Sequence, residues 1–401
     1  MVLILSVSCF KGKNDSVKPE KLVVTSKKIS KKNKEIIPAA NQTKQYTKWI
    51  GNQNFAVVAN QTSIFKKNGK NVHLVDFLHQ KFTNQLQKVF APEHGFRGKA
   101  DAGEYVKNGI DSKTKLPIIS LYGKNKKPTS EQLKGIKMII FDIQDVGIRF
   151  YTYISTLHYV MEACAENNIK LLVLDRPNPN AHYVDGPLLE KKQKSFIGMH
   201  PVPLVYGMTI GEYAKMINGE KWLKNGVQCD LTVIPIKNYT HKSKYVLPVR
   251  PSPNLPNAKA INLYASLALF EGTNVSCGRG TNKQFQIFGS PYLPKEKFNY
   301  TFKPKSNFGS KHPKHEGKTC FGKNLEKTPY LKKIRLNWLL EAYHSTKNKS
   351  DFFNPFFKKL AGTAKLQKQI EQGLTEKEIK ATWQKDLIKF KKIRVKYLMY
   401  P

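Results

Sequence analysis

The chain alternates short apolar runs with amphipathic segments as far as about residue 236. Apolar runs of strand length predict strands at 55–59, 86–90, 116–121, 138–141, 170–174 and 231–236. Segments with helical spacing lie between them, at 71–82, from 129 onward, at 153–168 and at 209–223. Strands that alternate with helices are typical of βαβ units, so we predict an α/β fold with a mostly parallel sheet.

The alternation ends near residue 250, where a proline-rich stretch begins. Polar loops follow at 271–274 and 278–281, and the remainder is rich in lysine and aromatic residues. Helical spacing returns at 336–345 and twice between 360 and 390. We therefore predict a parallel α/β subdomain over 49–250 and a smaller α+β C-terminal subdomain over 251–401, which closes a cleft against the first.

The N-terminal segment 1–48 has a different composition. An apolar run at 2–7 is too short to span a membrane, and Cys9 follows it in the position of a lipid-modified cysteine. This pattern indicates the end of a secretory signal; the alternative is an N-terminus without function. The Lys-, Ser- and Asn-rich stretch 11–48 cannot bury a core, so we predict a flexible basic tether.

Charge and cysteine content narrow the class of protein. The 68 Lys and Arg against 29 Asp and Glu give a net charge of +39, which attracts polyanions or merely reflects a lysine-rich surface. No recognition helix or RNA-binding pattern accompanies the charge, so nucleic acid is not the expected partner. The five cysteines are scattered without a C-x-x-C pair, which argues against a zinc site or a dense disulfide framework.

Polar residues follow three of the predicted strands. Glu93 follows the strand at 86–90, Asp142 and Asp145 follow the one at 138–141, and Asp175 with Arg176 follows the one at 170–174. Ligands of parallel sheets bind beyond the carboxyl ends of the strands. These residues therefore indicate an active site at one edge of the sheet.

Glu93 is the leading catalytic candidate. Pro92 gives the loop a rigid entry and Gly95 a permissive exit, which suits a side chain presented at a fixed angle. A Glu on an apolar rim has the raised pKa that a general acid needs. The alternative is a structural carboxylate that contacts the backbone or Arg97.

The other charged candidates each have a structural alternative. Asp142 and Asp145 are suited to sugar hydroxyls or to orienting a base, but also to pairing with Arg149 or capping the helix that begins near Thr152. Glu271 is suited to act as a second carboxylate across the cleft, or to pair with an Arg. Arg279 lies between two glycines and is suited to contact an anion. Glu212 is expected to form a structural capping box.

Several motifs are absent from the sequence. It has no Walker A motif, no strand-linked G-x-G-x-x-G and no H-E-x-x-H, and its histidines lack ligand spacing. Neither a cofactor nor a metal is therefore expected.

Taken in order, the motifs resemble those of the exo-β-N-acetylmuramidase family, over roughly residue 49 to the C-terminus. Single motifs are weakly diagnostic, but the ordered set is specific. They are Pro92-Glu-His-Gly95, Phe141-Asp-Ile-Gln-Asp-Val-Gly147, Arg149-Phe-Tyr-Thr-Tyr153, Asp175-Arg-Pro-Asn-Pro179, Gly207-Met-Thr209 with Gly211-Glu212, Pro251-Ser-Pro-Asn254, Phe270-Glu-Gly-Thr-Asn274 and Gly278-Arg-Gly-Thr281.

The resemblance implies a Rossmann-like N-terminal subdomain and a site in the cleft between the two subdomains. It implies a glycosidase that releases N-acetylmuramic acid from non-reducing ends of peptidoglycan fragments, with Glu93 as the catalytic residue. From the N-terminal pattern we expect a bacterial protein that is periplasmic or anchored in the outer membrane. The substrate would be a peptidoglycan-derived muramyl saccharide. The residues expected to bind it are His94, Asp145, Arg149, Asp175, Arg176, Asn254, Asn274 and Arg279.

A mechanism follows as a hypothesis. Glu93 would protonate the leaving oxygen, and Glu271, Asp142 or the substrate's own acetamide would supply the second function. Arg279 would bind the lactyl carboxylate. The first rival is a non-catalytic peptidoglycan-binding lipoprotein on the same scaffold, which would not turn over a muramide; the second is a nucleic-acid binder, suggested by charge alone.

Overall fold

A computed structural model gives the structure of residues 34–98, 104 and 107–401. The α-helices of this part are α1 (Thr43–Thr47), α2 (Leu74–Lys81), α3 (Ser130–Leu133), α4 (Tyr153–Glu166), α5 (Ile210–Gly219), α6 (Ala258–Leu267), α7 (Asn337–Ser345), α8 (Phe356–Ala361), α9 (Lys365–Glu371) and α10 (Glu376–Arg394). Its strands are β1 (Phe55–Ala59), β2 (Ile64–Lys67), β3 (Lys70–His73), β4 (Leu86–Ala91), β5 (Gly109–Ile110), β6 (Pro117–Ser120), β7 (Met138–Asp142), β8 (Lys170–Leu174), β9 (Asp185–Leu188), β10 (Pro203–Val205), β11 (Leu231–Ile234), β12 (Ile287–Ser290), β13 (Tyr300–Phe302) and β14 (Cys320–Asn324).

The central sheet has seven strands in the order β11-β8-β7-β1-β4-β6-β5. Every neighbouring pair is parallel except β5 with β6. All six predicted strands lie in this sheet, and the predicted α/β class is confirmed. Because β8, β7 and β4 run in the same direction, the loops that carry Asp175, Asp142 and Glu93 leave the same edge of the sheet.

Both faces of the sheet are covered. Alternate side chains of a strand point to opposite faces, and β1 shows this directly. Ala56 and Val58 belong to a large core cluster with α4 to α10, whereas Phe55 and Val57 belong to a second cluster with α1 and α2. Burial on both faces explains why the central strands are continuous apolar runs without polar alternation.

The predicted tether is too long at its C-terminal end. Residues from Ile36 onward belong to the same compact unit as the rest of the fold. Ala39, Ala40 and Tyr46 are fully buried in the second core cluster. These small and aromatic residues pack against one face of the sheet, although the stretch around them is rich in lysine. Cys9 and the apolar run at 2–7 lie outside the described residues.

The C-terminal part combines helices with a three-stranded antiparallel sheet of order β12-β14-β13. This confirms the smaller α+β part, although the sequence pattern did not predict its strands. The pattern also missed α6, because this helix is buried on nearly all sides and lacks a polar face. Asn257 caps the N-terminus of this helix, because its side chain accepts a hydrogen bond from the Ala260 amide.

Within the described residues, we find no helix with the length and apolar character that crossing a membrane requires.

Candidate functional site

A cleft of about 230 Å³ opens at the sheet edge where β4 ends. It brings together five of the predicted site residues, from both halves of the chain: Glu93, His94, Asn254, Glu271 and Arg279. The other lining residues are mainly aromatic or apolar, and two carry aliphatic hydroxyls: Tyr122, Phe150, Tyr151, Thr152, Phe196, Ile197, Ser252, Leu255, Tyr264, Phe285, Phe356 and Leu360.

A tight turn presents Glu93 to the cleft. The Gly95 amide donates to the Pro92 carbonyl at 3.0 Å, and His94 and Gly95 have φ values of 70° and 75°. A histidine in the left-handed region is uncommon, and such backbone strain is concentrated at functional sites. Arg97 is not the structural partner of Glu93 that the sequence allowed, because its guanidinium binds Asp76 and Asp111.

Thr152 and Tyr122 flank the Glu93 carboxylate. The Thr152 hydroxyl donates to Oε2 of Glu93 at 2.6 Å. Although Thr152 stands directly before α4, its side chain does not cap that helix. Burial and the neighbouring Glu93 carboxylate raise the pKa of Tyr122, so its phenol stays protonated. The Thr152 hydroxyl therefore orients the Glu93 carboxylate and is not used to cap α4.

Glu271 and Arg279 form an ion pair in the wall of the cleft. Nε of Arg279 donates to Oε1 of Glu271 at 2.7 Å, and both side chains are about one-fifth exposed. Burial opposes the charge of Arg279, but the adjacent Glu271 carboxylate holds the pKa of Arg279 above its ordinary value. The guanidinium lies over the Phe285 ring, 5.3 Å from its centroid. Its two terminal nitrogens make no protein hydrogen bond in the described part of the chain.

Aromatic side chains form a rigid floor between the two carboxylates. Tyr264 contacts Phe150 and Phe285 edge-on, with centroid distances of 5.2 and 4.8 Å. The Tyr151 hydroxyl donates to the Pro251 carbonyl at 2.7 Å, which ties the loop before α4 to the start of the C-terminal part. This packing fixes the cleft walls relative to one another.

Asp142 and Arg176 do not line the cleft, which corrects their prediction as catalytic and substrate-binding residues. Nε and Nη2 of Arg176 bind the two Asp142 oxygens at 2.6 and 2.8 Å, and the pair is almost completely buried. Losing either partner would leave a buried unpaired charge. Their role is to join the ends of β7 and β8.

Asp145 and Arg149 are also buried in structural roles and not in contact with the cleft. Asp145 accepts from the Gly147 amide at 2.6 Å and from the Tyr206 hydroxyl, and burial raises its pKa to about 6. Arg149 donates to four carbonyls at the junction of the β9–β10 hairpin with α8: Pro187 (2.7 Å), Val202 (3.0 Å), Leu360 (3.1 Å) and Ala361 (2.6 Å). The predicted substrate contacts are corrected because no donor or acceptor of either residue lines the cleft.

Asp175 is likewise a buried junction and not a substrate contact. It accepts from the Gly211 amide at 2.8 Å, the Thr209 hydroxyl at 2.7 Å and the Tyr400 hydroxyl at 2.6 Å. These bonds tie the end of β8 to the start of α5 and to the C-terminus. The predicted capping box of Glu212 with Thr209 is present.

Asn274 lies outside the cleft, in the wall of a second cavity. The sequence reasoning in turn missed Tyr122, Tyr264 and the role of Thr152. Thr152 stands inside the motif at 149–153, three residues after Arg149, and its hydroxyl is the signal in that motif that could have indicated it. Tyr122 and Tyr264 carry no local signal, because only the fold brings them to Glu93 and Glu271.

Within the described residues, no cluster of three or more His, Cys, Asp or Glu side chains is arranged to hold a metal ion. The chemistry available to the cleft is that of two carboxylates, one guanidinium, one imidazole, one amide, hydroxyls and aromatic rings.

Comparison with known proteins shows the family. Models of the N-terminal and C-terminal parts of exo-beta-N-acetylmuramidase NamZ match residues 55–259 and 262–400. A peptidoglycan beta-N-acetylmuramidase NamZ from Bacillus subtilis (strain 168) is 40% identical over 345 residues, which cover 81% of this chain and 82% of the relative.

Two crystal structures of DUF1343 family proteins from Bacteroides fragilis NCTC 9343 are similar to this fold. One is 47% identical with a TM-score of 0.83, and the other is 27% identical with a TM-score of 0.80. Each alignment covers 91% of this chain and 99% of the crystallised chain. Together with the two family models, these matches show that the chain belongs to the exo-β-N-acetylmuramidase family of glycosidases.

Proposed function

We propose that this glycosidase releases N-acetylmuramic acid from the non-reducing ends of peptidoglycan fragments, with Glu93 as the proton donor. Family membership supports the substrate class. The observation that carries the assignment to this site is the Glu93 carboxylate, held at the sheet edge in a small cleft shared by both halves of the chain. A cleft of this size suits one terminal sugar better than the middle of a long chain.

Glu93 is suited to general acid catalysis by its surroundings. Its carboxylate sits on an aromatic and apolar rim, and Thr152 fixes one oxygen by a short hydrogen bond. A fixed orientation places the acid against the glycosidic oxygen, which is the geometric requirement for proton transfer.

Arg279 is suited to select the lactyl carboxylate of N-acetylmuramic acid. Glu271 holds its Nε, which leaves the terminal nitrogens to form a bidentate contact with a substrate carboxylate. A sugar without the lactyl group would leave the two terminal nitrogens of Arg279 without a carboxylate partner, so the arrangement discriminates against N-acetylglucosamine at this position.

Glu271 is the second carboxylate among the described residues that line the cleft, since Asp142 is committed elsewhere. Its ion pair with Arg279 favours a positioning role, in which it orients the guanidinium. The internal nucleophile or base is then either Glu271 after a shift of Arg279 onto the substrate, or the acetamide of the substrate.

Product analysis tests the proposed function. Two soluble peptidoglycan glycan fragments of equal length are needed, one ending in N-acetylmuramic acid and the other in N-acetylglucosamine at the non-reducing end. We expect free N-acetylmuramic acid from the first fragment and no monosaccharide from the second. Equal release from both fragments would contradict the proposed role of Arg279, and release of internal fragments would contradict exo action.

We propose further that the protein is exported and anchored through Cys9, at the periplasmic face of the outer membrane. The apolar run followed by Ser8-Cys9 supports this location, and a peptidoglycan substrate requires access to the envelope. A Cys9→Ser variant of the full chain should lose incorporation of labelled palmitate and leave the membrane fraction. Unchanged fractionation would contradict the anchor.

A further inference from the structure

A second cavity of about 800 Å³ lies in the C-terminal part, between the loop after β12, the segment 314–315 and the turn after α7. Its lining includes Asn274, Tyr292, Glu296, Lys314, His315 and Asp351. No residue lines both this cavity and the cleft that holds Glu93. It is thus a separate site with more than three times the volume of the cleft.

The two cavities share one wall, the segment 270–275. Glu271 of this segment lines the cleft, and Asn274, three residues later, lines the second cavity. Lys314 donates to the carbonyls of Phe270 and Val275 at 3.1 and 3.2 Å. The segment that carries Glu271 is therefore held in place from the side of the second cavity.

The apolar part of the lining is an exposed aromatic platform. Tyr292 is 55% exposed and lies between Pro291 and a Leu-Pro pair, which stiffen the loop. His315 packs edge-on against its ring at 5.6 Å, and Nε2 of His315 bonds the Asn274 carbonyl at 2.7 Å. An exposed tyrosine with its ring orientation fixed costs little entropy when it binds a flat apolar surface.

The polar part of the lining favours a neutral ligand. Glu296 and Asp351 are opposed by Lys314 and Lys347, so the charges balance and a polyanion gains little. Ser345, Thr346 and Asn348 add hydroxyl and amide groups to a lining that also contains an apolar loop at 291–294, which suits a ligand with both polar groups and apolar faces. The Oδ1 of Asn274, a residue of the cavity wall, is buried and lacks a hydrogen-bond partner in the described structure.

We propose that this cavity is a second saccharide-binding site, which takes a stretch of N-acetylated amino-sugar chain on the Tyr292 platform, away from the bond that is cut. The apolar face of a sugar ring stacks on the aromatic ring, and its hydroxyl and acetamide groups hydrogen-bond to the amide and hydroxyl side chains. The inference rests on the proposed function for the identity of the polymer. Its consequence is retention of the enzyme on insoluble wall, where the effective substrate concentration is high.

The test compares Tyr292→Ala with Tyr330→Ala, both in a Glu93→Gln background so that no ligand is consumed. Tyr330 is a matched control because it is 48% exposed but does not line the cavity. Binding is measured by titration with the N-acetylglucosamine tetrasaccharide and by sedimentation with insoluble peptidoglycan. Salt of about 0.5 M screens attraction due to the net charge beyond a few ångströms.

We expect Tyr292→Ala to weaken both binding signals roughly three- to tenfold, as loss of one stacked ring does, and Tyr330→Ala to leave them unchanged. With Glu93 intact, Tyr292→Ala should hydrolyse a small chromogenic muramide at the unaltered rate. Equal binding by the two variants would overturn the proposal. A parent enzyme that bound the tetrasaccharide but did not hydrolyse the muramide would count against the proposed function and not against this site.

Discussion

The hydrogen bond from Thr152 to Glu93 permits a sharp test of how the acid is positioned. Thr152→Val preserves the shape of the side chain and removes only the hydroxyl, which donates to Oε2 at 2.6 Å. A hydrogen bond to a charged group contributes about 1.5–3 kcal/mol, which corresponds to roughly a 10- to 150-fold loss in kcat/KM. The fold should tolerate the change because Thr152 makes no side-chain cap to α4.

Initial rates with an unactivated disaccharide that carries N-acetylmuramic acid at the non-reducing end measure this loss. Thr156→Val is the matched control, since its hydroxyl bonds only within the same helix, to the Thr152 carbonyl. Full activity of Thr152→Val would contradict a positioning role for this hydroxyl.

Three further predictions concern residues at or behind the cleft. Arg149→Met should lower the free energy of unfolding by at least about 4 kcal/mol, since four buried carbonyls lose their donor, while KM of the folded enzyme stays the same; thermal unfolding and steady-state kinetics check this. Glu271→Gln should raise KM for muramides much more than it lowers kcat if Glu271 only orients Arg279, whereas a fall in kcat of about a thousandfold or more would assign it a catalytic role. Burial raises the pKa of Asp175 to about 7, so the folded protein retains a proton that the unfolded chain releases, and stability should fall as pH rises from about 4 to about 7. Asp175→Asn should reduce that fall by up to roughly 4 kcal/mol in denaturant unfolding at a series of pH values, and an unchanged pH dependence would contradict the assignment.

The sheet was predictable because burial on both faces leaves a direct mark on the sequence. The runs at 55–59 and 138–141 are continuous and apolar, and both are central strands. The buried helix α6 lacks a polar face, and the strands β12 to β14 are only three to five residues long, so neither leaves a comparable signal in the sequence. The C-terminal part was therefore predicted only as a class.

The candidate site was predictable to the level of the loops but not of every side chain. Residues after β4, β7 and β8 do lie at one edge, yet only Glu93 among their predicted carboxylates faces the cleft. Asp142 and Asp175 turn into the fold, where an arginine and several hydroxyl and amide donors compensate their burial. Spacing along a chain gives the position of a loop, whereas the direction of a side chain depends on partners that are distant in sequence.

A Glu93→Gln variant tests whether Glu93 supplies the proton for glycosidic cleavage. The measurement is kcat for an unactivated disaccharide with N-acetylmuramic acid at the non-reducing end, with thermal unfolding as the control for folding. We expect kcat to fall roughly a thousandfold or more, with an unfolding temperature close to that of the parent. A variant that folds normally and retains most of its kcat would contradict the assignment of Glu93.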